Sequence, residues 1–407
     1  MKASRPRVDA SKGTEVHSIL VRGVNWLGDA VMTTPALCRI RERFPDASVT
    51  MLCPEKLGEL WWQHPAVDEV LMTGPEESAF AVARQLRARK FDLGVILPNS
   101  FRSAWELWLG RVPKRIGYSG NGRSWLLTQA CPRRPEEVRM HKRSPQEIRS
   151  ALETTGSQSA STRPPSLPPA AHHLHQYLNL ARALGASAEP LAPSLRVSEK
   201  ETEQFRQKFL APLGIRSDLQ PRLIGLNPGA EYGPAKRWPA ERFAEVAIET
   251  SKRGPCAFVV FGGGRDQGLA QQITDQISGS LRSTQHPGWV VSVAGQTTLR
   301  ELMAGLSTCD AVLTNDTGPM HVAAALGTPV VVPFGSTSAA LTGPGLPGDP
   351  RHRLLYSATP PACSPCFLRE CPIDFRCMTQ LSTSEVAAAV AEVTSAARLR
   401  PSSPSSP

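Results

Sequence analysis

The chain has 407 residues, 41% hydrophobic and 20% charged, a globular composition long enough for two or three domains. No apolar run reaches the roughly 18–20 residues that span a bilayer, and no charged segment followed by an apolar core opens the chain, so neither a membrane span nor a secretory signal is expected and a cytoplasmic protein is. The net charge of +10 is uneven, since residues 101–150 hold 11 Lys and Arg against 4 Asp and Glu; this suits an anionic partner (nucleic acid, anionic lipid or phosphorylated saccharide) or a soluble basic surface.

Residues 1–15 are polar and expected to be disordered. Ser18–Arg22 reads as a strand, Gly23–Asp29 as a glycine-containing loop, and Ala30–Phe44 as a helix with arginines late in it. Strands follow at Val49–Cys53, Val67–Met72 and Leu93–Leu97, with an amphipathic helix at Ala79–Lys90. This alternation predicts an α/β domain whose ligand crevice lies at the carboxyl ends of its strands. Asp29 closes the loop after the first strand, where a carboxylate can act as a general base or simply cap the next helix. Beyond Leu97, Arg102, Lys114, Arg115 and Arg123 are interleaved with Trp105, Trp108, Tyr118 and Trp125, a pattern that serves sugars and phosphates as well as bases. Residues 153–169 are low in complexity and expected to form a disordered loop. A helix at His172–Ala186, a linker at Pro190–Val197 and a helix from Lys200 to Leu210 lead to the second half.

That half opens with a strand, Leu223–Asn227, running into PGAEYGPAKRWP and a helix at Ala240–Lys252. Backbone N–H groups together with Lys236 and Arg237 would cradle a diphosphate there, although the loop is no Walker A motif because G-K-[ST] is absent. Further along, Ala311–Thr314 is a strand, Asn315–Pro319 a turn, Met320–Leu326 a short helix and Thr328–Pro333 another strand. In this crossover unit Asn315, Asp316 and Thr317 either cap the helix or, with Gly318 and His321, meet a second anion. Two such turns on neighbouring strands of one sheet are far more specific than either alone. Cys38, Cys53, Cys131, Cys256 and Cys309 are scattered and read as core thiols. Cys363, Cys366, Cys371 and Cys377 lie within fifteen residues, a spacing that fits a structural zinc or iron site or reduced thiols in a loop.

The motifs VRGVNWLGDAVMTTPAL (21–37), LPNSFRSA (97–104), GLNPGAEYGPAKRWP (225–239), AGQTTLREL (294–302) and NDTGPMHVAAALGTPVVVPFG (315–335) resemble glycosyltransferase family 9, the lipopolysaccharide heptosyltransferases, and its type II branch more than type I. The likeness covers about residues 17–395. It implies the GT-B architecture: two Rossmann-like domains with parallel sheets facing a central cleft, the acceptor-binding domain at 17–189 with a flexible insertion at 130–169, a linker at 190–199 and the donor-binding domain at 200–395. The ends at 1–16 and 396–407 are expected to be disordered. It implies inverting heptose transfer from ADP-heptose to the heptosyl-Kdo-lipid A inner core, with Asp29 as general base and no cofactor for the chemistry. Ala230, Glu231, Lys236, Arg237, Asp316, Thr317, Gly318 and His321 are expected around the donor, and Asn99, Ser100, Arg102 and Arg123 on the acceptor side. Some relatives in the wider group hold a structural iron on a cysteine set of this kind. A peripheral contact with the cytoplasmic face of the inner membrane is open, and nucleic acid is not expected. The rivals are an enzyme of the same shape acting on another nucleotide sugar, as transferase or epimerase, and a non-catalytic nucleotide- or RNA-binding module, for which no RNA-binding motif is present.

Overall fold

The computed structural model describes residues 16–155, 167–216, 218–282 and 286–398. The polar start, the core of the low-complexity stretch and the end of the tail lie outside the described residues.

Two parallel sheets form the scaffold. The first contains β1 (Ser18–Arg22), β2 (Ser48–Pro54), β3 (Glu69–Thr73), β4 (Leu93–Ile96), β5 (Lys114–Tyr118) and β6 (Gln129–Cys131), with helices α1 (Leu27–Met32), α2 (Thr34–Arg43), α3 (Ala79–Arg89), α4 (Phe101–Leu109), α5 (Pro145–Thr155) and α6 (Leu174–Ala183). After α7 (Glu199–Phe205) the second half runs β7 (Arg222–Asn227), α8 (Ala240–Ser251), β8 (Cys256–Val260), α9 (Gln267–Leu281), β9 (Gly288–Ser292), α10 (Leu299–Thr308), β10 (Ala311–Thr314), α11 (Gly318–Ala325), β11 (Val330–Pro333), α12 (Ala339–Thr342), β12 (Arg353–Leu355), α13 (Arg376–Thr379) and α14 (Thr383–Arg398). Strand orders are β3-β2-β1-β4-β5-β6 and β12-β11-β10-β7-β8-β9. The central strands carry near-continuous apolar runs because helices cover both faces, as in β8, where Cys256 to Val260 are all buried.

Each sheet reverses its strand order once, between β1 and β4 and between β10 and β7. Ligands of open α/β sheets bind at such switch points, outside the carboxyl ends of the strands. The loops found there are Gly23–Trp26 after β1, Pro98–Ser100 after β4, the 228–238 turn after β7 and the 315–317 turn after β10. Topology therefore selects the segments on which the motifs fall.

The helix expected over Ala30–Phe44 is broken at Thr33. Pro35 sits in the first turn of α2 without a donor, and the Thr33 and Thr34 hydroxyls bond back to the Ala30 and Val31 carbonyls. Inside the stretch expected to be flexible, α5 is a helix. Its Ile148 is buried against Cys363 and Cys366, and Leu152, one turn on, packs beside it. The helix expected at Lys200–Leu210 is α-helical to Phe205 and becomes a π-turn at Arg206–Leu210.

The halves share one apolar core that includes Val21 and Leu37 of the first and Val312 and Met320 of the second. Arg300 bolts them beside the linker. Its guanidinium forms a two-pronged pair with Glu201 at 2.7 Å on each side and donates to the Trp62 and Arg196 carbonyls, while its N–H donates to Glu59. Among the described residues no helix is long and apolar enough to cross a membrane.

Candidate active site

The loop after β1 and the turn after β10 meet across the cleft. A Cβ on Gly28 would stand 2.7 Å from the His321 ring, and one on Gly318 would stand 2.9 Å from Leu27. Only glycine lets the first turns of α1 and α11 approach this closely. The contact places Asp29, in the first turn of α1, opposite the 315–321 motif of the second half.

No donor among the described residues hydrogen-bonds the Asp29 carboxylate. Burial pushes its pKa up to about 6, with Lys236 pulling it down and Asp316 pushing it up. Lys236 and Asp316 are thus electrostatic neighbours of Asp29, although they belong to the other half. Asp29 is not the cap of α1, since Trp26 holds that position and makes no side-chain cap bond.

In the second half, Lys236 Nζ donates to Asp316 Oδ2 at 2.8 Å, and Thr337 Oγ1 donates to the same oxygen at 2.6 Å. The Asp316 side chain is therefore committed to this network and does not cap α11. Thr317 occupies the cap position without a side-chain bond, which leaves the N-terminus of α11 open to an anion. Asn315, fully buried, joins the two turns: its Oδ1 accepts from the Trp238 N–H at 2.9 Å and its Nδ2 donates to the Pro228 carbonyl at 2.7 Å. His321 is buried too, and desolvation lowers its pKa to about 4 despite Asp316. It is a neutral hydrogen-bonding group at physiological pH and not a cation.

Ala230 is buried and its carbonyl accepts from Arg237 Nη2 at 3.3 Å. Arg237 also approaches Asp266 at 3.8 Å, and its buried Nε has no partner among the described residues. Glu231 is exposed and lies 3.6 Å from Lys56 of the first half. The Tyr232 ring is flanked by Lys236 Nζ and Arg369 Cζ, each 5.3 Å from its centroid, and by Lys142 Nζ at 5.9 Å. Lys142 comes from the segment leading into α5, whose neighbour Arg143 donates from its backbone N–H to the Cys366 carbonyl and from its side chain to the Ala362 carbonyl. A strap from the first half thus reaches the turn after β7.

In the first half, of the residues expected on the acceptor side, Asn99 and Ser100 are exposed, and Ser100 caps α4 by accepting from the Ser103 N–H. Arg102 is exposed and pairs with Glu106 at 2.7 Å. Arg123 does not join them on the surface. It is buried beneath the loop, with its guanidinium spent on the carbonyls of Pro98, Ser100 and Tyr118 and on Asn99 Oδ1. Its role is to hold the loop in shape.

Cys363, Cys366, Cys371 and Cys377 line one small cavity together with Ile148, Ala235, Gly335 and Ser336. Burial, reinforced by the three other thiols, pushes Cys377 up to about 12. A soft donor set of this kind suits zinc or iron, yet among the described residues no three His, Cys, Asp or Glu side chains close on a common point. The cysteine loop is instead tied to the donor turns: Ser364 Oγ donates to the Gly335 carbonyl at 2.6 Å, Tyr232 donates to the Phe367 carbonyl, and the Ala235 N–H to the Arg369 carbonyl.

Thr337 and Tyr232 are the residues that the sequence did not single out. Asn315 was legible as part of the turn, but Thr337 and Tyr232 become visible only through their partners.

Comparison with known proteins agrees with this fold. The family model described as glycosyltransferase family 9 (heptosyltransferase) matches residues 79–146 and 148–375. The lipooligosaccharide heptosyltransferase 2 of Haemophilus ducreyi is 30% identical over 333 residues, covering 80% of this chain and 85% of that protein. The lipopolysaccharide heptosyltransferase 2 of Salmonella typhimurium is 30% identical over 339 residues, with the same coverage. Among solved structures, the ADP-heptose lps heptosyltransferase II of E. coli superposes with a TM-score of 0.69 at 25% identity, covering 94% of this chain and 99% of that one.

Proposed function

The chain belongs to glycosyltransferase family 9, the heptosyltransferases, and we propose that it transfers heptose from ADP-heptose to a heptosyl-Kdo-lipid A acceptor with inversion, Asp29 serving as general base. It is a GT-B glycosyltransferase of lipopolysaccharide heptose transfer. The observation that carries the finer reading is the placement of Asp29, unengaged and with its pKa near 6, across the cleft from the Lys236–Asp316–Thr337 network.

A single displacement needs a base on the acceptor hydroxyl and neutralisation of the departing diphosphate. Asp29 takes the hydroxyl proton. A pKa near 6 leaves it ionised at neutral pH yet more basic than an exposed carboxylate. Lys236, the open N-terminus of α11 and the unpartnered Nε of Arg237 receive the diphosphate. Neutral His321 donates a hydrogen bond and packs the two halves together through Gly28. Asn99, Ser100 and Arg102 present the acceptor, on a loop held by Arg123. Lys142 and Arg369 add positive charge around Tyr232 on the donor side. The chemistry requires no metal in this scheme. A structural zinc or iron would be held by the four cysteines behind the donor turns, where it would fix the loop and touch no reacting atom.

Calorimetric titration with ADP-heptose, ADP and UDP, followed by transfer assays on heptosyl-Kdo-lipid A, tests the proposal. Selective binding of the adenine nucleotides and transfer to that acceptor are expected. Preference for UDP would reassign the donor, and donor binding without transfer would reassign the acceptor.

A further inference from the structure

The site leaves one prominent surface unused. On α4, Phe101, Trp105 and Trp108 follow one another at i, i+4 and i+7 and so share one face. This is not the core face, because Ala104 and Leu107 fill that role. Trp105 stacks on Trp108 with ring centroids 5.0 Å apart, and Trp125 packs edge-on against both. Phe101, Trp108 and Trp125 are 42%, 40% and 62% exposed, and Phe80, on the adjoining helix α3, is 69% exposed. Soluble surfaces do not keep such an aromatic cluster in water without a purpose.

Its surroundings are strongly basic. Residues 80–125 hold nine Lys and Arg against two acids. Both acids are occupied: Glu106 is buried against Arg22, and the half-buried Asp92 accepts from the backbone of residues 17 and 18. Arg84 and Arg87 continue the outer stripe of α3 from Phe80, and Arg87 ties α3 to the end of α4 through the Leu109 carbonyl. The patch also abuts the acceptor loop, since Phe101 directly follows Ser100.

We propose that the outer faces of α3 and α4, with Trp125, dock the enzyme on an anionic bilayer surface beside its lipid-anchored acceptor. This rests on the acceptor reading above. Tryptophan rings settle at the headgroup level with their apolar bodies inward, and the basic rim meets anionic headgroups. Charge favours this occupant over a second copy of the chain, which would bring the same positive field to the contact. Ring geometry favours it over nucleic acid, because Trp105 and Trp108 turn their flat faces toward each other and leave less face for a base to stack on.

The test is sedimentation of the full chain with phosphatidylcholine vesicles, with and without phosphatidylglycerol, at low and high salt. No donor or acceptor is needed, so the result stands even if the heptose reading fails. Binding is expected only with the anionic lipid, weakened by salt, blue-shifting tryptophan emission. The double variant Trp108→Ser/Trp125→Ser should bind about tenfold or more weakly, and Arg84→Glu/Arg111→Glu should do the same, with ADP binding and melting temperature held. In both variants, transfer to an acceptor stripped of its acyl chains should be unchanged while transfer to a vesicle-embedded acceptor falls. The proposal is overturned by absence of vesicle binding in the parent, by variants that bind vesicles as well as the parent does, by tighter binding to single-stranded RNA than to anionic vesicles, or by a parent dimer that the variants abolish.

Discussion

Asp29 shows how one residue's chemistry depends on contacts far away in the chain. Asp29→Asn should lower kcat about 100-fold or more while leaving the ADP-heptose dissociation constant nearly unchanged; unchanged turnover would remove it as the base. In the parent enzyme, kcat/KM should fall as pH drops through about 6, where Asp29 takes up its proton. No second limb from His321 is expected near 6.5, because burial holds its pKa near 4. Asp29 also carries a stability cost. Its folded pKa of about 6 lies above the 3.8 of an exposed Asp, so the folded state binds the proton more tightly and stability is lost as pH rises between those values. Asp29→Asn should therefore raise thermal stability at pH 8, by up to about 3 kcal/mol, and make little difference below pH 3.8. Lys236→Ala should weaken donor binding roughly 10- to 100-fold, as expected for a charge-assisted contact. Calorimetry with ADP reads this directly.

At the scale of elements, the proposed donor site is a set of turns stapled to one another. Asn315 joins the turns after β7 and β10, Thr337 brings in the segment after β11, and the cysteine loop supports all three from behind. Helix α5 closes the cysteine cavity with Ile148. Ile148→Ala should cost about 2 kcal/mol, the low end for a buried aliphatic truncation because the cluster is small, and should speed proteolysis of the 132–155 strap. Metal analysis of the purified protein checks the cysteine cavity: one equivalent of zinc or iron, lost in Cys363→Ser together with several degrees of melting temperature, would make it a metal site. A metal-free protein with four titratable thiols would leave the loop a reduced thiol cavity.

For the whole molecule, function depends on how the halves are held. A shared core and the contacts of Arg300, held by Glu201, with Glu59 and the Trp62 carbonyl of the first half keep the cleft in the arrangement that brings Asp29 to Lys236. Arg300→Ala removes one partner of a largely buried pair and should cost about 3 kcal/mol. It should also lower kcat without a matching loss of ADP affinity, because ADP is expected to contact the donor half alone. An unchanged kcat in a folded Arg300→Ala protein would show that the bolt does not set the cleft.

The sequence determined the alternation of strands and helices, the two turns at the carboxyl ends of neighbouring strands and the candidacy of Asp29. Apolar runs, turn residues and glycines act locally, and their spacing survives in the linear chain. The break at Thr33 was legible in principle from Pro35. The sequence could not show that Arg123 lies beneath the Pro98–Ser100 loop, that His321 is uncharged, that Thr337 completes the Asp316 network, or that α5 docks on the cysteines. Each of these depends on burial or on a partner distant in the chain. A side chain's charge state and hydrogen bonds follow from what surrounds it in space, so only the tertiary structure decided them.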